Sequence, residues 1–124
     1  MTGKFYICSL SKMKDVPKEN NTFYLITAGQ REIKDVKSGR WLAPTPQLFN
    51  RYLTEWKADK SFQWWPEYRE TYLSSVNPMI LNDLKRRVDT GENITLMCYC
   101  GDETHCHRVL IKELLSQTHE VISI

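Results

Sequence analysis

The sequence predicts an α/β fold: a single compact domain spanning residues 1–124, with a mostly parallel sheet of about four strands and helices on both faces, Rossmann-like or flavodoxin-like. Three observations predict it. Short apolar runs alternate with stretches at helical spacing. The run at 93–100, Asn-Ile-Thr-Leu-Met-Cys-Tyr-Cys, is apolar with little alternation, as expected of a strand covered on both faces. It then passes through a short polar turn, Gly101 to Thr104, into a helix whose Val109, Leu110 and Leu114 keep helical spacing. A right-handed crossover should carry that helix to the next strand.

The remaining elements follow in order. Residues 4–10 (Lys-Phe-Tyr-Ile-Cys-Ser-Leu) form a β-rich run, and residues 22–28 (Thr-Phe-Tyr-Leu-Ile-Thr-Ala) a second, ended by Gly29. Residues 30–40 are polar and lack a period. They read as a loop with at most a helical turn, placed to flap over the carboxyl end of the second strand. Thr45 as N-cap and Pro46 at the first position open a helix carrying Leu48, Phe49, Tyr52, Leu53 and Trp56 at amphipathic spacing. A second helix runs from about Pro66 through Val76, with Tyr68, Tyr72, Leu73 and Val76 on one side. Asn77-Pro78 starts a third, with Met79, Ile80, Leu84 and Val88 as its expected buried face and Gly91 as its stop. Residues 120–124 form a last short strand, expected at a sheet edge.

Composition narrows the class without naming a partner. With 41% hydrophobic and 26% charged residues the chain is ordinary globular protein, and a net charge of +2 does not argue for nucleic acid. No run of about 18 apolar residues could span a membrane, and residues 1–4 lead into a strand rather than a signal-peptide pattern. The expected location is cytoplasmic. In a reducing compartment Cys98, Cys100 and Cys106 read as thiols or metal ligands, and Cys8, alone in an apolar strand, as a small core residue.

Three of the four cysteines and two of the three histidines fall within ten residues around the polar turn. A strand that empties into a helix puts its loop at the carboxyl end of the sheet, where open α/β folds bind ligands. The helix start adds unpaired N–H groups and a positive dipole end. Cys106 there, flanked by His105 and His107, is where a thiol pKa should fall, which makes it a candidate nucleophile. His107 or His105 could move a proton, and Arg108 could fork onto a phosphate or carboxylate. The interval to Arg108 is too long from Cys100 and too short from Cys106 for a cysteine-phosphatase loop, and Gly101 alone makes no phosphate loop. Covalent cysteine catalysis, non-covalent anion binding, a purely structural turn and a zinc site built from Cys98, Cys100, Cys106 and His105 all remain open.

Leu96-Met97-Cys98-Tyr99-Cys100 followed by Cys106-His107-Arg108-Val109-Leu110 resembles the signature of domain-of-unknown-function family 488. Upstream, Leu42-Ala43-Pro44-Thr45-Pro46-Gln47-Leu48 and Tyr68-Arg69-Glu70-Thr71-Tyr72-Leu73 resemble segments of that family's short, YeaO-like branch. Gly29-Gln30-Arg31 offers the arginine of the family's Asp-x-Arg without its acid, and this chain keeps a Cys-His-Arg that the short branch commonly loses. The resemblance implies a compact α/β fold and a site at Cys106, His107 and Arg108. It implies no reaction.

The sequence therefore points to a small anionic ligand or nucleotide, bound by catalytic candidates Cys106, His107 and Arg108 with Cys100, Gly101, His105 and Arg31 as further ligand contacts. No cofactor is expected in that case. The contrasting expectation is a zinc-stabilised module, with nucleic acid as a partner through Lys85, Arg86, Arg87 and the Trp64-Trp65 pair.

Overall fold

The computed structural model describes residues 2–99 and 104–124. Its strands are β1 (Phe5–Ser9), β2 (Asn21–Leu25), β3 (Val36–Ser38), β4 (Asn93–Cys98) and β5 (Val121–Ser123). They form one sheet in the order β3-β2-β4-β1-β5, with every adjacent pair parallel. The expected α/β fold with a parallel sheet is therefore present, with one more strand than expected. The addition is β3, which lies inside the stretch expected to be a loop. Its three residues, Val-Lys-Ser, are too few and too polar to show a period, and pairing with β2 alone makes them a strand.

Four α-helices complete the architecture: α1 (Pro46–Arg51), α2 (Trp65–Ser75), α3 (Pro78–Asp89) and α4 (His107–Ser116). A π-helical turn, Tyr52–Trp56, prolongs α1, and 3₁₀ turns occupy Leu10–Asp15 and Arg40–Leu42. The expected caps are in place. Thr45 accepts from the Leu48 N–H and Asn77 from the Met79 N–H, with a proline in the first turn of each helix.

Strand order decides which face each connection covers. The chain moves from β1 toward β3 and then back past β4 to β5, so right-handed crossovers send the early connections to one face and the later ones to the other. The buried residues divide in the same way. Leu48, Tyr68, Tyr72, Leu84, Val88, Leu110 and Leu115 from the four α-helices pack with Phe5, Ile94, Leu96 and Cys98 in the larger core. Tyr6, Cys8, Phe23 and Met97 on the opposite face are covered by Val16 and the flanking Leu10 and Met13. Both faces are covered, but unequally. Cys8 is a core residue as expected, and burial pushes its thiol pKa up to about 11.

Two amphipathic readings change in detail. Met79 is 77% exposed and Leu81 takes its place on the buried face of α3, because Leu81, Leu84 and Val88 share one side of the helix. Phe49 and Leu53 are 37% and 46% exposed, although Leu48 and Trp56 on the same segment are buried. Their apolar surface faces a cleft instead of the core.

The segments around Leu42 and Tyr72 meet in space. Tyr72 is fully buried and its Oη donates to the Leu42 carbonyl at 2.7 Å. Burial also holds its phenol pKa well above the usual value, so the hydroxyl stays a donor. Replacing Tyr72 with Phe should lower the unfolding free energy by about 1–2 kcal/mol, since it deletes a buried donor while keeping the ring. Urea denaturation would detect this, and an unchanged midpoint would show that the bond contributes nothing.

Candidate functional site

A cavity of about 610 Å³ opens at the carboxyl ends of β2 and β4. The chain leaving β2 heads for β3, and the chain leaving β4 crosses to the other face, so the sheet parts its loops there. Thr27, Ala28 and Gly29 line one side, and Cys98 and Tyr99 another. Phe49, Tyr52 and Leu53 from the α1 segment and Tyr68 from α2 supply an aromatic and aliphatic wall, with Lys57 as the cation. His105, Cys106 and His107 complete the lining.

Cys106 is the N-cap of α4 and His107 its first residue. The extended backbone of Cys106, at φ −140° and ψ 150°, turns the chain into the helix and leaves both side chains buried. His107 Nε2 lies 2.6 Å from the Ile26 carbonyl. A carbonyl only accepts, so Nε2 carries the hydrogen and the neutral ring presents its Nδ1 lone pair elsewhere. That lone pair faces the Cys106 Sγ at 3.7 Å. The ring is also held edge-on by Tyr72, with centroids 5.6 Å apart. Complete burial drives the His107 pKa down to about 4, with the backbone bond opposing the shift and the Arg108 charge adding to it. The thiol thus faces a neutral imidazole of fixed tautomer whose Nδ1 is placed to accept its hydrogen.

Beneath this pair, Cys98 at the end of β4 places its Sγ 3.3 Å from the Cys106 Sγ. Arg108 is buried, and its Nη1 donates to the Cys98 Sγ at 3.5 Å. The rest of Arg108 lines a different cavity, of about 360 Å³, together with Cys8, Lys12 and Lys112. The three residues of the Cys-His-Arg stretch are therefore parted: Cys106 and His107 face the aromatic cavity, and Arg108 reaches behind it. Helical geometry accounts for this, because successive positions on a helix point in different directions.

The other sequence-derived candidates are distributed around the same end of the sheet. His105 stacks on Phe62 at 3.7 Å between ring centroids, and Thr104 Oγ1 lies 2.7 Å from its Nδ1. The Arg31 guanidinium sits over the Tyr99 ring, 5.2 Å from its centroid, so the segment after β2 does reach the cavity lining. Gln30 holds that segment down by donating to the Leu25 and Thr27 carbonyls at 2.9 and 2.6 Å. Cys100 and Gly101 lie outside the described residues. Of the zinc set, Cys98 and Cys106 adjoin, and the described residues contain no group of three or more His, Cys, Asp or Glu placed to hold a metal.

Phe49, Tyr52, Leu53, Thr27 and Lys57 were not legible as site residues. The only sequence signal was an amphipathic stripe on α1 wider than one core contact needs. Several of the basic and aromatic residues considered for nucleic acid have partners within the protein. Arg86 pairs with Asp83, Arg87 with Glu92 and with Tyr24 Oη, and buried Trp64 stacks on Trp56. No helix among the described residues is long and apolar enough to cross a membrane.

The buried His107 gives stability a pH dependence. The unfolded chain takes up this proton near pH 6.5 and the folded protein only near 4, so stability should fall as pH drops between these values. The full loss is about 3 kcal/mol. Urea midpoints from about pH 7 to about pH 4 should decline less for His107→Gln, which keeps a donor for the Ile26 carbonyl but cannot titrate. Parallel declines in the two proteins would refute a neutral, buried imidazole.

Comparison with curated proteins and with solved structures gives no significant match. A protein-family model does match, over residues 9–119, and its description reads "Active DUF488-N3 subclade". That span takes in every strand and helix from the first 3₁₀ turn through α4. The chain belongs to domain-of-unknown-function family 488.

Proposed function

We propose that this protein binds a nucleotide-like, phosphate-bearing ligand in the aromatic cavity and acts on it with Cys106 as nucleophile and His107 as its base. The observation that carries this reading is the chain of contacts from Cys106 Sγ to His107 Nδ1 and from His107 Nε2 to the Ile26 carbonyl. Donation of the thiol or hydroxyl hydrogen to a carbonyl-oriented imidazole is how such nucleophiles are commonly activated. The description of the matching family model as an active subclade agrees with a catalytic role.

The lining favours a ligand with two characters. Tyr52, Phe49 and Tyr99 offer surfaces against which a planar ring can stack or pack. Lys57 in the lining and Arg31 over Tyr99 supply positive charge, and the amino end of α4 adds its dipole. A nucleoside phosphate has both features. Arg108 has a different part in this scheme from the one its position in the sequence implied. It donates to Cys98 beneath the cavity floor.

A zinc ion is the second reading, favoured by the adjacent Cys98 and Cys106 sulfurs. Metal analysis of protein purified without added metal or chelator separates the two. The nucleophile reading expects far less than stoichiometric zinc, and one zinc per chain, lost together with folding on chelation, would replace it.

Alkylation by iodoacetamide from about pH 4 to about pH 9 tests the nucleophile directly. Cys106 should react with an apparent pKa below the free-thiol value of about 8.5. His107→Gln should slow the reaction at neutral pH by about a hundredfold, the low end of what a positioned base contributes. Nucleoside monophosphates screened by thermal shift should raise the Tm, and the best of them should protect Cys106 from alkylation. Absence of any shift, with Cys106 no more reactive than in the unfolded chain, would overturn the proposal.

A further inference from the structure

The Cys98 and Cys106 thiols have a relationship that the ligand chemistry does not use. Cys98 ends β4, a strand hydrogen-bonded to neighbours on both edges, and Cys106 is the N-cap of α4. Their sulfurs are 3.3 Å apart and both line the floor of the cavity. A disulfide has its sulfurs about 2.05 Å apart, so closure by a little over ~1 Å joins them. Each sulfur also has a neighbour suited to the chemistry: the buried Arg108 guanidinium beside Cys98, and the His107 Nδ1 lone pair beside Cys106. Cys8 differs in its place in the fold. It lies on the opposite face of the sheet, in the smaller apolar core, where burial raises its pKa and keeps it an inert thiol.

We infer that Cys98 and Cys106 form a redox pair, in which Cys106 reduces a small hydroperoxide that enters the cavity and Cys98 resolves the product as an intramolecular disulfide. This goes beyond the nucleotide-binding reading and does not require the ligand. Burial of both sulfurs limits the oxidant to a small one, which is why a hydroperoxide fits better than a bulky disulfide.

The steps balance. As the Cys106 sulfur attacks one peroxide oxygen, its proton moves to His107 Nδ1. The O–O bond breaks, and the departing hydroxide or alkoxide takes the proton from His107 to leave as water or alcohol. Cys106 is now a sulfenic acid. The Cys98 sulfur, held by the Arg108 guanidinium, attacks the Cys106 sulfur. The S–S bond forms, the S–O bond breaks, and hydroxide leaves with the Cys98 proton as water. Two thiols have lost two electrons and the peroxide has gained them. Reduction by an external dithiol restores the pair.

The consequence is a cavity whose nucleophile is withdrawn under oxidising conditions. Treating the full-length protein with stoichiometric hydrogen peroxide should cost two titratable thiols and two hydrogens in intact mass, both regained with dithiothreitol. Peptide mapping without reductant should place the bridge at Cys98–Cys106. With Cys98→Ser, the same treatment should instead leave a Cys106 sulfenic acid that dimedone traps, and Cys8→Ser should behave as the unsubstituted chain. A bridge that includes Cys100 or Cys8, a bridge only between chains, or over-oxidation of Cys106 with Cys98 present would each overturn the inference. The result stands apart from the ligand test. Disulfide formation with no nucleotide effect would leave the redox pair and remove the ligand, and alkylation of Cys106 with no disulfide would do the reverse.

Discussion

β4 hydrogen-bonds β1 along one edge and β2 along the other, and both of its faces are buried: Ile94, Leu96 and Cys98 lie in the larger core and Met97 in the smaller. Residues 94–98 are buried, so the ladders must satisfy their backbone groups. An apolar run bounded by polar turns meets that demand, which accounts for its composition. The remaining architecture is arranged about this strand. β2 and β3 extend the sheet on one side and β1 and β5 on the other. The carboxyl end of β4 is where the two directions of travel part, and a cavity forms because the loops lead away from each other.

The side chains at that end are placed by a few directional contacts. The His107 to Ile26 bond joins the amino end of α4 to the chain leaving β2. It fixes the imidazole tautomer and closes one wall of the cavity. Tyr72 does comparable work from α2, donating to Leu42 and presenting its ring to His107. Aromatic contacts extend this wall outward, from Tyr72 to Tyr68 and then to Trp64, Trp65 and Tyr52. At the far end the Arg51 guanidinium lies over Trp56 and pairs with Glu67 on α2. That ion pair is exposed, so its worth is small beside the ring burial.

Arg108 shows how a short motif is divided by the helix it begins. Adjacent in sequence to His107, it occupies a separate cavity and touches the site through Cys98. A buried cation lies next to one sulfur of the pair and a neutral imidazole next to the other, so the two thiols have different surroundings.

Much of this was legible in the sequence. The parallel α/β class followed from apolar runs alternating with helical spacing, and helix starts at Pro46 and Pro78 from their caps, because local backbone chemistry dictates them. The strand-turn-helix join pointed to the carboxyl end of the sheet, where the cavity opens. Other features needed the folded chain. β3 exists only through pairing with β2, and three polar residues carry no period of their own. Phe49 and Leu53 had the same amphipathic spacing as Leu48 and Trp56, and spacing does not say whether an apolar side chain meets the core or a cleft. Cys98 and Cys106, eight positions apart, are neighbours because strand and helix stack. The sequence by itself determined the kinds of residue gathered at one end of the sheet. Tertiary structure decided which of them touch, because contacts between elements depend on strand order and helix rotation, and neither is written in local pattern.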